Sequence, residues 1–375
     1  MKMLIISCFD WYEKRTKTII DYFQKQNMEV IYYTSDYEHI KKEYVKKSEQ
    51  INYIHAIQYK KNFSIKRLLS HYVFSKRVYK ILNKHVPDYV YILIPPNSML
   101  KYAAKYHKKH SGTKLIVDII DMWPESMPIN MKIANCIPFI IWKDLRDKNL
   151  KEADWVFTEC DLYQEILKKY ISNNKISTLY LTKPKTVNIN SHYYADSSKI
   201  VLVYLGSINN IIDIDLICVL IYRLSKERKV VLKIIGKGEK KSEFIKRAQE
   251  AKAQVIDEGV IFDDVLKHEI LSKSDFGINI MKKQVYVGLT TKSIDYLSTG
   301  LPIINNIGGD TEYLIEKYKA GFNIIDENVE GVAFKILSDF DTRQEMRENA
   351  YKLYHENFTE NEFRKKLDHY IKYII

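Results

Sequence analysis

Residues 286–309, YVGLTTKSIDYLSTGLPIINNIGG, bring together the residue types that hold a diphosphate. Gly288 and Leu289 lead into Thr290 and Thr291, which stand where the first turn of a helix carrying Lys292 and Asp295 begins. Free backbone N–H groups, two hydroxyls, the positive helix end and a lysine then converge on one point. Asp295 falls one turn further along, on the side of Thr291 and Lys292 by helical spacing. There its carboxylate can accept hydrogen bonds from both hydroxyls of a ribose. An ordinary amphipathic helix start with a solvated lysine and aspartate satisfies the same residues, so the segment by itself leaves both readings open.

Other candidates share one feature, which is that each follows an apolar run. Gly206 closes VYLGS, Gly236 and Gly238 close KIIGKG, and Asp118 and Asp121 lie in LIVDIIDMWPE. A glycine after a strand commonly makes a tight turn and nothing more. Asp213-Ile214-Asp215 has the look of a metal-binding acidic motif, but it begins a helix-like stretch, where two carboxylates serve as first-turn acids. No metal is called for.

The elements that must carry these residues alternate. In the first half, short β-rich runs (MLIIS, EVIYYT, YVYILI, KLIVDII, WVFTE and one near 176–181) are separated by helical stretches at 14–27, 64–85, 98–110, 135–152 and 161–170. This βαβ rhythm predicts an open parallel sheet. The polar stretch 183–198, without hydrophobic period, reads as a linker. The rhythm then restarts with KIVLVYLGS and runs through VVLKIIGKG, VIFD, FGINIM and LPIINN, with helices near 213–226, 241–251, 264–273, 291–299 and 310–317. Thr359 to Glu362 fits a capping box that opens a last amphipathic helix. The fold class is therefore α/β, with two Rossmann-like doubly wound domains. We expect 1–182, with the helix 359–375 packing back on it, then the linker 183–198, then 199–358. Two such domains in tandem set the carboxyl ends of their sheets across a cleft, where open α/β sheets bind ligands.

Composition narrows the class further. With 375 residues, 46% hydrophobic and 28% charged, the chain matches a globular protein of two cores. No run is long and apolar enough for a membrane span and the N-terminus has no cleavage site, so a cytoplasmic location is expected. Cys8, Cys136, Cys160 and Cys218 show no metal or disulfide spacing and are expected as buried thiols. Residues 1–190 hold 32 Lys+Arg against 19 Asp+Glu, whereas 191–375 hold 27 against 28, so the net +12 belongs to the first half. Within 51–117, thirteen basic residues face the single acid Asp88. An anionic partner is expected there. The segment 64–85 sets Ile65, Leu68, Leu69, Tyr72, Val73, Val78, Ile81 and Leu82 at helical spacing among Lys66, Arg67, Lys76, Arg77, Lys80 and Lys84. Such a helix either packs on a sheet or lies in a lipid interface, and the basic residues favour the anionic inner face of a membrane. No recognised nucleic-acid module accompanies the charge.

VDIIDMWPES at 117–126, VYLGSI at 203–208, LKIIGKGE at 232–239, EGVIFDDVLKHEILSKSDFGI at 258–278 and TTKSIDYLSTGLPII at 290–304 occur in an order that resembles glycosyltransferase family 4, with the GT-B fold, particularly its bacterial exopolysaccharide and O-antigen branch. The resemblance covers nearly the whole chain. It implies that Asp295 holds the ribose, that Gly288, Leu289, Thr290, Thr291 and Lys292 wrap the donor sugar and phosphates, that Ile261 and Phe262 meet the base, and that Gly206 and Gly236 turn toward the nucleotide. Asp121 takes the approximate place of the family's first-domain histidine, and Asp118 and Asp121 are the candidates for orienting the acceptor hydroxyl, with capping of the turn before Trp123-Pro124 as the alternative. The pattern is broken at Val287, where the family carries an acid, and at Asn209, Asn210 and Asp213, where it carries diphosphate-gripping Arg and Lys.

The expected activity is transfer of a sugar from a nucleotide sugar, UDP-linked, to a polyprenyl-diphosphate-linked saccharide in bacterial surface polysaccharide synthesis. By resemblance it retains anomeric configuration and needs neither metal nor cofactor. The alternatives are a catalytically silent homologue assisting a partner transferase and a GT-B UDP-sugar 2-epimerase.

Overall fold

A computed structural model describes residues 1–48, 51–62, 64–127, 136–184, 196–283, 285–338 and 342–374. Of the linker expected at 183–198, residues 185–195 lie outside the described residues. The chain divides into one unit of Met1–Tyr180 with Arg364–Ile375, and a second of Leu181–Phe363.

The first unit is built on a seven-stranded sheet. Its strands are β1 (Lys2–Ile6), β2 (Glu29–Ser35), β3 (Asn52–Ile54), β4 (Tyr89–Ile94), β5 (Lys114–Ile119), β6 (Trp155–Thr158) and β7 (Ile176–Thr178). They run parallel in the order β3-β2-β1-β4-β5-β6-β7. Strand β4, YVYILI, is buried at every position, as a strand covered on both faces must be. Helices α1 (Glu13–Lys25), α2 (Ile65–His85), α3 (Asn97–His107), α4 (Ile137–Asp147) and α5 (Asp161–Leu167) link the strands. Ser64 starts α2 by accepting the Arg67 N–H at 3.2 Å. The C-terminal residues join this unit: Tyr22 donates to Asp368 at 3.0 Å, and Trp155 packs on Tyr370 and Tyr373.

The second unit repeats the plan with β8 (Lys199–Leu205), β9 (Lys229–Ile235), β10 (Ala253–Gly259), β11 (Phe276–Asn279), β12 (Ile303–Asn305) and β13 (Gly321–Asn323). All are parallel, in the order β10-β9-β8-β11-β12-β13. The chain reverses direction across the sheet between β8 and β11, the switch point at which this topology opens a crevice. Around the sheet lie α6 (Ile214–Leu224), α7 (Lys241–Glu250), α8 (Asp264–Ser272), α9 (Thr291–Ser298), α10 (Asp310–Tyr318), α11 (Val329–Ser338) and α12 (Thr342–Asn357). Leu202, Tyr204, Leu232, Phe244, Phe276 and Ile278 are among the residues of its core. A final helix, α13 (Glu360–Ile371), follows.

Two sequence expectations are corrected. Cys136 is exposed at the start of α4, unlike the buried Cys8, Cys160 and Cys218. The segment after 318, where no element was expected, forms β13, α11 and α12. Helix α12 was hidden because two of its buried positions are Arg343 and Arg347, which periodicity assigns to solvent. Arg347 donates to the carbonyls of Ser272 and Ser274 at 2.9 Å, and Arg343 pairs with Asp275 at 3.1 Å.

Candidate functional site

In the second unit the predicted donor residues lie after β8, β9 and β11, around the switch point, except Ile261 and Phe262, which follow the edge strand β10. Gly206 has φ +120°, a conformation costly for any side chain, and a Cβ there would meet nothing within 4 Å. Gly236 and Gly238 have a different reason. A Cβ on either would lie 2.0 Å from the carbonyl oxygen of Gly206 or Ile208, respectively. These two glycines let the loops after β8 and β9 pack together, bonded through Ile208 N–H to the Lys237 carbonyl at 3.0 Å, and this closeness accounts for them without a ligand.

The loop into α9 is held at both ends. The Gly288 carbonyl accepts from Thr311 N–H at 2.9 Å and from its hydroxyl at 2.7 Å. Thr290 caps the helix by accepting Ser293 N–H at 3.2 Å. Beneath it Asn279, at the end of β11, donates to Ser293 Oγ and to Asn305 Oδ1, both at 2.9 Å, and Asn305 donates in turn to Asn323 Oδ1 at 3.0 Å. This side-chain ladder ties three neighbouring strand ends together and leaves the N-terminal turn of α9 preorganised. Leu289 is buried and Thr291 exposed.

Lys292 is only 7% exposed. Its ammonium lies 4.7 Å from the centre of the Tyr204 ring and has no hydrogen-bond partner among the described residues. Burial pushes it down to about 7, from an ordinary lysine value above 10. Asp295 is ion-paired with Lys183 and stands 3.8 Å from Lys267. Lys183 was not among the predicted residues. It lies far back in the chain at the edge of the expected linker, and only the fold brings it to α9, where its amide donates to the Phe358 carbonyl at 3.1 Å. Ile261 is half-buried after β10, and Phe262 beside it is 87% exposed.

The departures from the family pattern have local employment. Asn210 donates to Glu239 at 2.8 Å, Asn209 accepts from Ile211 N–H at 3.1 Å, and Asp213 caps α6 through Leu216 N–H at 3.0 Å. Asp215 pairs with Arg247. Among the described residues, no group of three or more His, Cys, Asp and Glu side chains is arranged to hold a metal ion.

In the first unit, Asp118 and Asp121 part company. Asp118 is fully buried and receives Arg15 Nε, Arg15 Nη2 and the Tyr91 hydroxyl, each at 2.8 Å. Arg15 also donates to the carbonyls of Leu179 and Tyr180, so the pair is a structural tie from α1 to the end of the unit. The full burial of Asp118 and its bonds to Arg15 and Tyr91 speak for a structural role rather than contact with an acceptor. Asp121 accepts from Ser126 at 3.1 Å and from Tyr12 at 3.4 Å, and Trp123 and Arg67 also act on it. Burial pushes its carboxyl up to about 6, against the pull of Ser126, Tyr12, the Arg67 charge and Trp123. The rest of the motif is scaffolding. Arg146 holds Glu125 through bonds of 2.8 and 3.1 Å and the Trp123 carbonyl at 3.1 Å, and Asn97 donates to that carbonyl at 2.8 Å.

On α2, Lys66, Lys76, Lys80 and Lys84 are exposed and Arg77 is half-buried, donating to the His55 carbonyl. Arg67 is corrected: at 4% exposure it belongs to the interior, because it sits on the face shared with His71, Phe74, Val78 and Leu82. The apolar residues Ile65, Leu68, Leu69 and Tyr72, expected in one stripe with these, face solvent instead, Ile65 at 85%. No helix among the described residues is long and apolar enough to cross a membrane.

Two Rossmann-like parallel-sheet units in one chain, each with its own switch point, make this a GT-B fold. Residues 199–339 match the family described as Glycosyl transferases group 1, which puts a domain of that description in the second unit and makes the class of the protein a transferase. No curated protein matches the chain by sequence. Solved structures do match it in fold. Anabaena HepE in complex with UDP is 11% identical, with 99% of this chain and 100% of that one covered and a TM-score of 0.67. A glycosyltransferase from Rickettsia africae is 16% identical, with 99% and 98% covered and a TM-score of 0.65. The lipopolysaccharide outer core galactosyltransferase WaaB is 14% identical, with 99% of both chains covered and a TM-score of 0.68.

Proposed function

We propose that the protein transfers a sugar from a UDP-sugar to a lipid-linked saccharide in bacterial surface polysaccharide synthesis, as a family 4 enzyme that retains anomeric configuration and needs no metal. The observation that carries this reading is the buried ammonium of Lys292, without a hydrogen-bond partner among the described residues, behind the capped N-terminus of α9. A desolvated cation without a counter-ion is costly, and a diphosphate supplies the missing charge. As the glycosidic bond breaks, charge grows on that diphosphate, so a cation and helix dipole fixed beforehand favour the transition state over the bound donor. Asp295 then takes the ribose hydroxyls in exchange for Lys183, and the exposed Phe262 offers a face for the base. HepE has been crystallised with UDP-glucose, which supports a UDP-sugar as the donor. In this reading the second unit is the donor domain and the first the acceptor domain, with Asp121 orienting the acceptor hydroxyl. Calorimetric titration with UDP tests the site: Asp295→Ala weakens binding by about 1–3 kcal/mol with unchanged circular dichroism, and equal affinity removes Asp295 from it.

We further infer that the first unit rests on the inner face of the cell membrane as a peripheral protein. Helix α2 turns Ile65, Leu68, Leu69 and Tyr72 outward beside Lys66, Lys76, Lys80 and Lys84, and α4, which like α2 packs on α3, exposes Ile137, Ile140 and Ile141. Apolar residues left outside and ringed by lysines suit an anionic lipid surface. Co-sedimentation with anionic vesicles is expected to fall when Lys76, Arg77, Lys80 and Lys84 become Gln, with neutral vesicles binding weakly throughout. Equal binding to both vesicle types rejects the assignment.

A further inference from the structure

Arg67 lies in the first turn of α2, shut away from water. One of its terminal nitrogens, Nη1, donates to the Asn62 carbonyl at 2.8 Å. The other two, Nε and Nη2, have no hydrogen-bond partner among the described residues. The guanidinium carbon sits 4.4 Å from the Trp123 ring centre. One helical turn on, His71 is also buried, stacks on the same indole at 6.1 Å, and leaves both ring nitrogens unpartnered. The hydroxyl of Tyr59, engaged by His39, also interacts with the Arg67 guanidinium, but it is a neutral group and supplies no counter-charge. Asp121 and Asp10 are the carboxylates close enough to be felt in this cluster. Asp121 accepts from Ser126 and Tyr12, and Asp10 accepts from His39 N–H at 3.4 Å. Lys42 adds a second cation over the Tyr59 ring at 4.9 Å.

The vacant edge has a specific shape. Nε–H and Nη2–H of a guanidinium point the same way and match the two oxygens of a carboxylate or phosphate. Arg15 uses that very edge on Asp118 in the same unit, with both bonds at 2.8 Å. Arg67 presents it to no internal carboxylate among the described residues, and the indole face beneath it compensates a buried cation only in part. Phe9 after β1 and Trp123 after β5 frame the cluster, which puts it at the carboxyl end of the sheet, where parallel sheets take ligands.

We propose that Arg67 and His71 form an anion subsite beside Asp121, and that the acceptor carries a phosphate or carboxylate group that seats on the free edge of Arg67. This rests on the first unit being the acceptor domain. The anion is either the diphosphate of the lipid carrier, close to the reacting hydroxyl, or the carboxylate of an acidic sugar.

With the second unit saturated by UDP, inorganic pyrophosphate and glucuronate are titrated separately, with glucose as the neutral control, while tryptophan emission is followed. Saturable binding of one anion and none of glucose is expected, weakened about tenfold or more by Arg67→Gln, with UDP affinity unaltered. His71→Gln keeps the guanidinium and gives a smaller loss, which decides the matter should Arg67→Gln not fold. Pyrophosphate binding alone assigns the lipid diphosphate, and glucuronate binding assigns an acidic sugar. Equal anion binding by wild type and both variants, or none by the wild type, overturns the subsite. Failure of the wild type to bind UDP counts against the donor site instead, and the anion titration run without UDP still decides the subsite.

Discussion

Asp118 and Asp121 leave the same strand end three residues apart, yet one is consumed by structure and the other is left poised. Asp118 receives three bonds of 2.8 Å and joins α1 to the close of the unit through Arg15. Asp121 accepts longer bonds, from Ser126 at 3.1 Å and Tyr12 at 3.4 Å, and has a carboxyl pushed up to about 6 by burial. Buried arginines divide the same way, Arg15 with its fork on a carboxylate and Arg67 with no carboxylate on the matching edge among the described residues. In the second unit Arg343 pairs with Asp275, whereas Lys292 has no hydrogen-bond partner among the described residues. The lesson is that burial of a charge does not mark function in this protein. A bonded buried pair is held by its own partners, whereas a buried group with hydrogen-bonding capacity left over is held at a cost the surrounding fold supports, and we propose that Asp121, Arg67 and Lys292 spend that capacity on ligands.

The sharpest way to break this comparison is to remove one partner of the filled pair. Asp118→Ala strands the Arg15 guanidinium in the interior and is expected to cost on the order of 3–5 kcal/mol, read as a lower urea midpoint for the first unit. A stable variant with reduced transfer activity would reverse the assignments of the two aspartates.

Asp121→Asn is expected to do the opposite, lowering sugar transfer roughly a hundredfold while the fold persists. Its pH dependence sharpens the point. The folded carboxyl titrates near 6 and the unfolded one near the ordinary 3.8, so the native state holds the extra proton between them. Wild-type stability relative to the Asn variant therefore falls as pH rises through that window, and wild-type activity rises along a limb near pH 6 that the variant lacks. Parallel stability curves for the two proteins from pH 4 to 7 would show that Asp121 is not held against its own ionisation.

The smallest expected effect is at Lys292. Its folded value near 7 lies below the unfolded 10.5, so the native state binds fewer protons between the two and wild-type stability rises with pH across that window. Lys292→Met, which does not titrate, is expected to melt higher than wild type, with its advantage largest below pH 7 and shrinking toward pH 10. The same variant loses about 1–3 kcal/mol of UDP affinity. Unchanged UDP binding, or a lower melting temperature at pH 6, would make the lysine an ordinary packing residue.

Strand and helix order was legible from residues alone, since continuous apolar runs such as YVYILI and KIVLVYL, broken by amphipathic stretches, allow little except parallel sheets with helices between them. So were the start of α9 at Thr290-Thr291 and the segregation of positive charge into the first half. What the sequence could not determine was which charged residues are inside. Arg67, Lys292, Arg343 and Arg347 read as surface by type and are buried. Lys183 and Asp295 meet although 112 positions separate them, as do Arg15 and Asp118 across 103. A local pattern reports the average preference of a side chain for water. Whether a given charge finds a counter-ion depends on which distant backbone the tertiary fold brings within about 3 Å of it, and that distance alone separates a structural carboxylate from one left free to work.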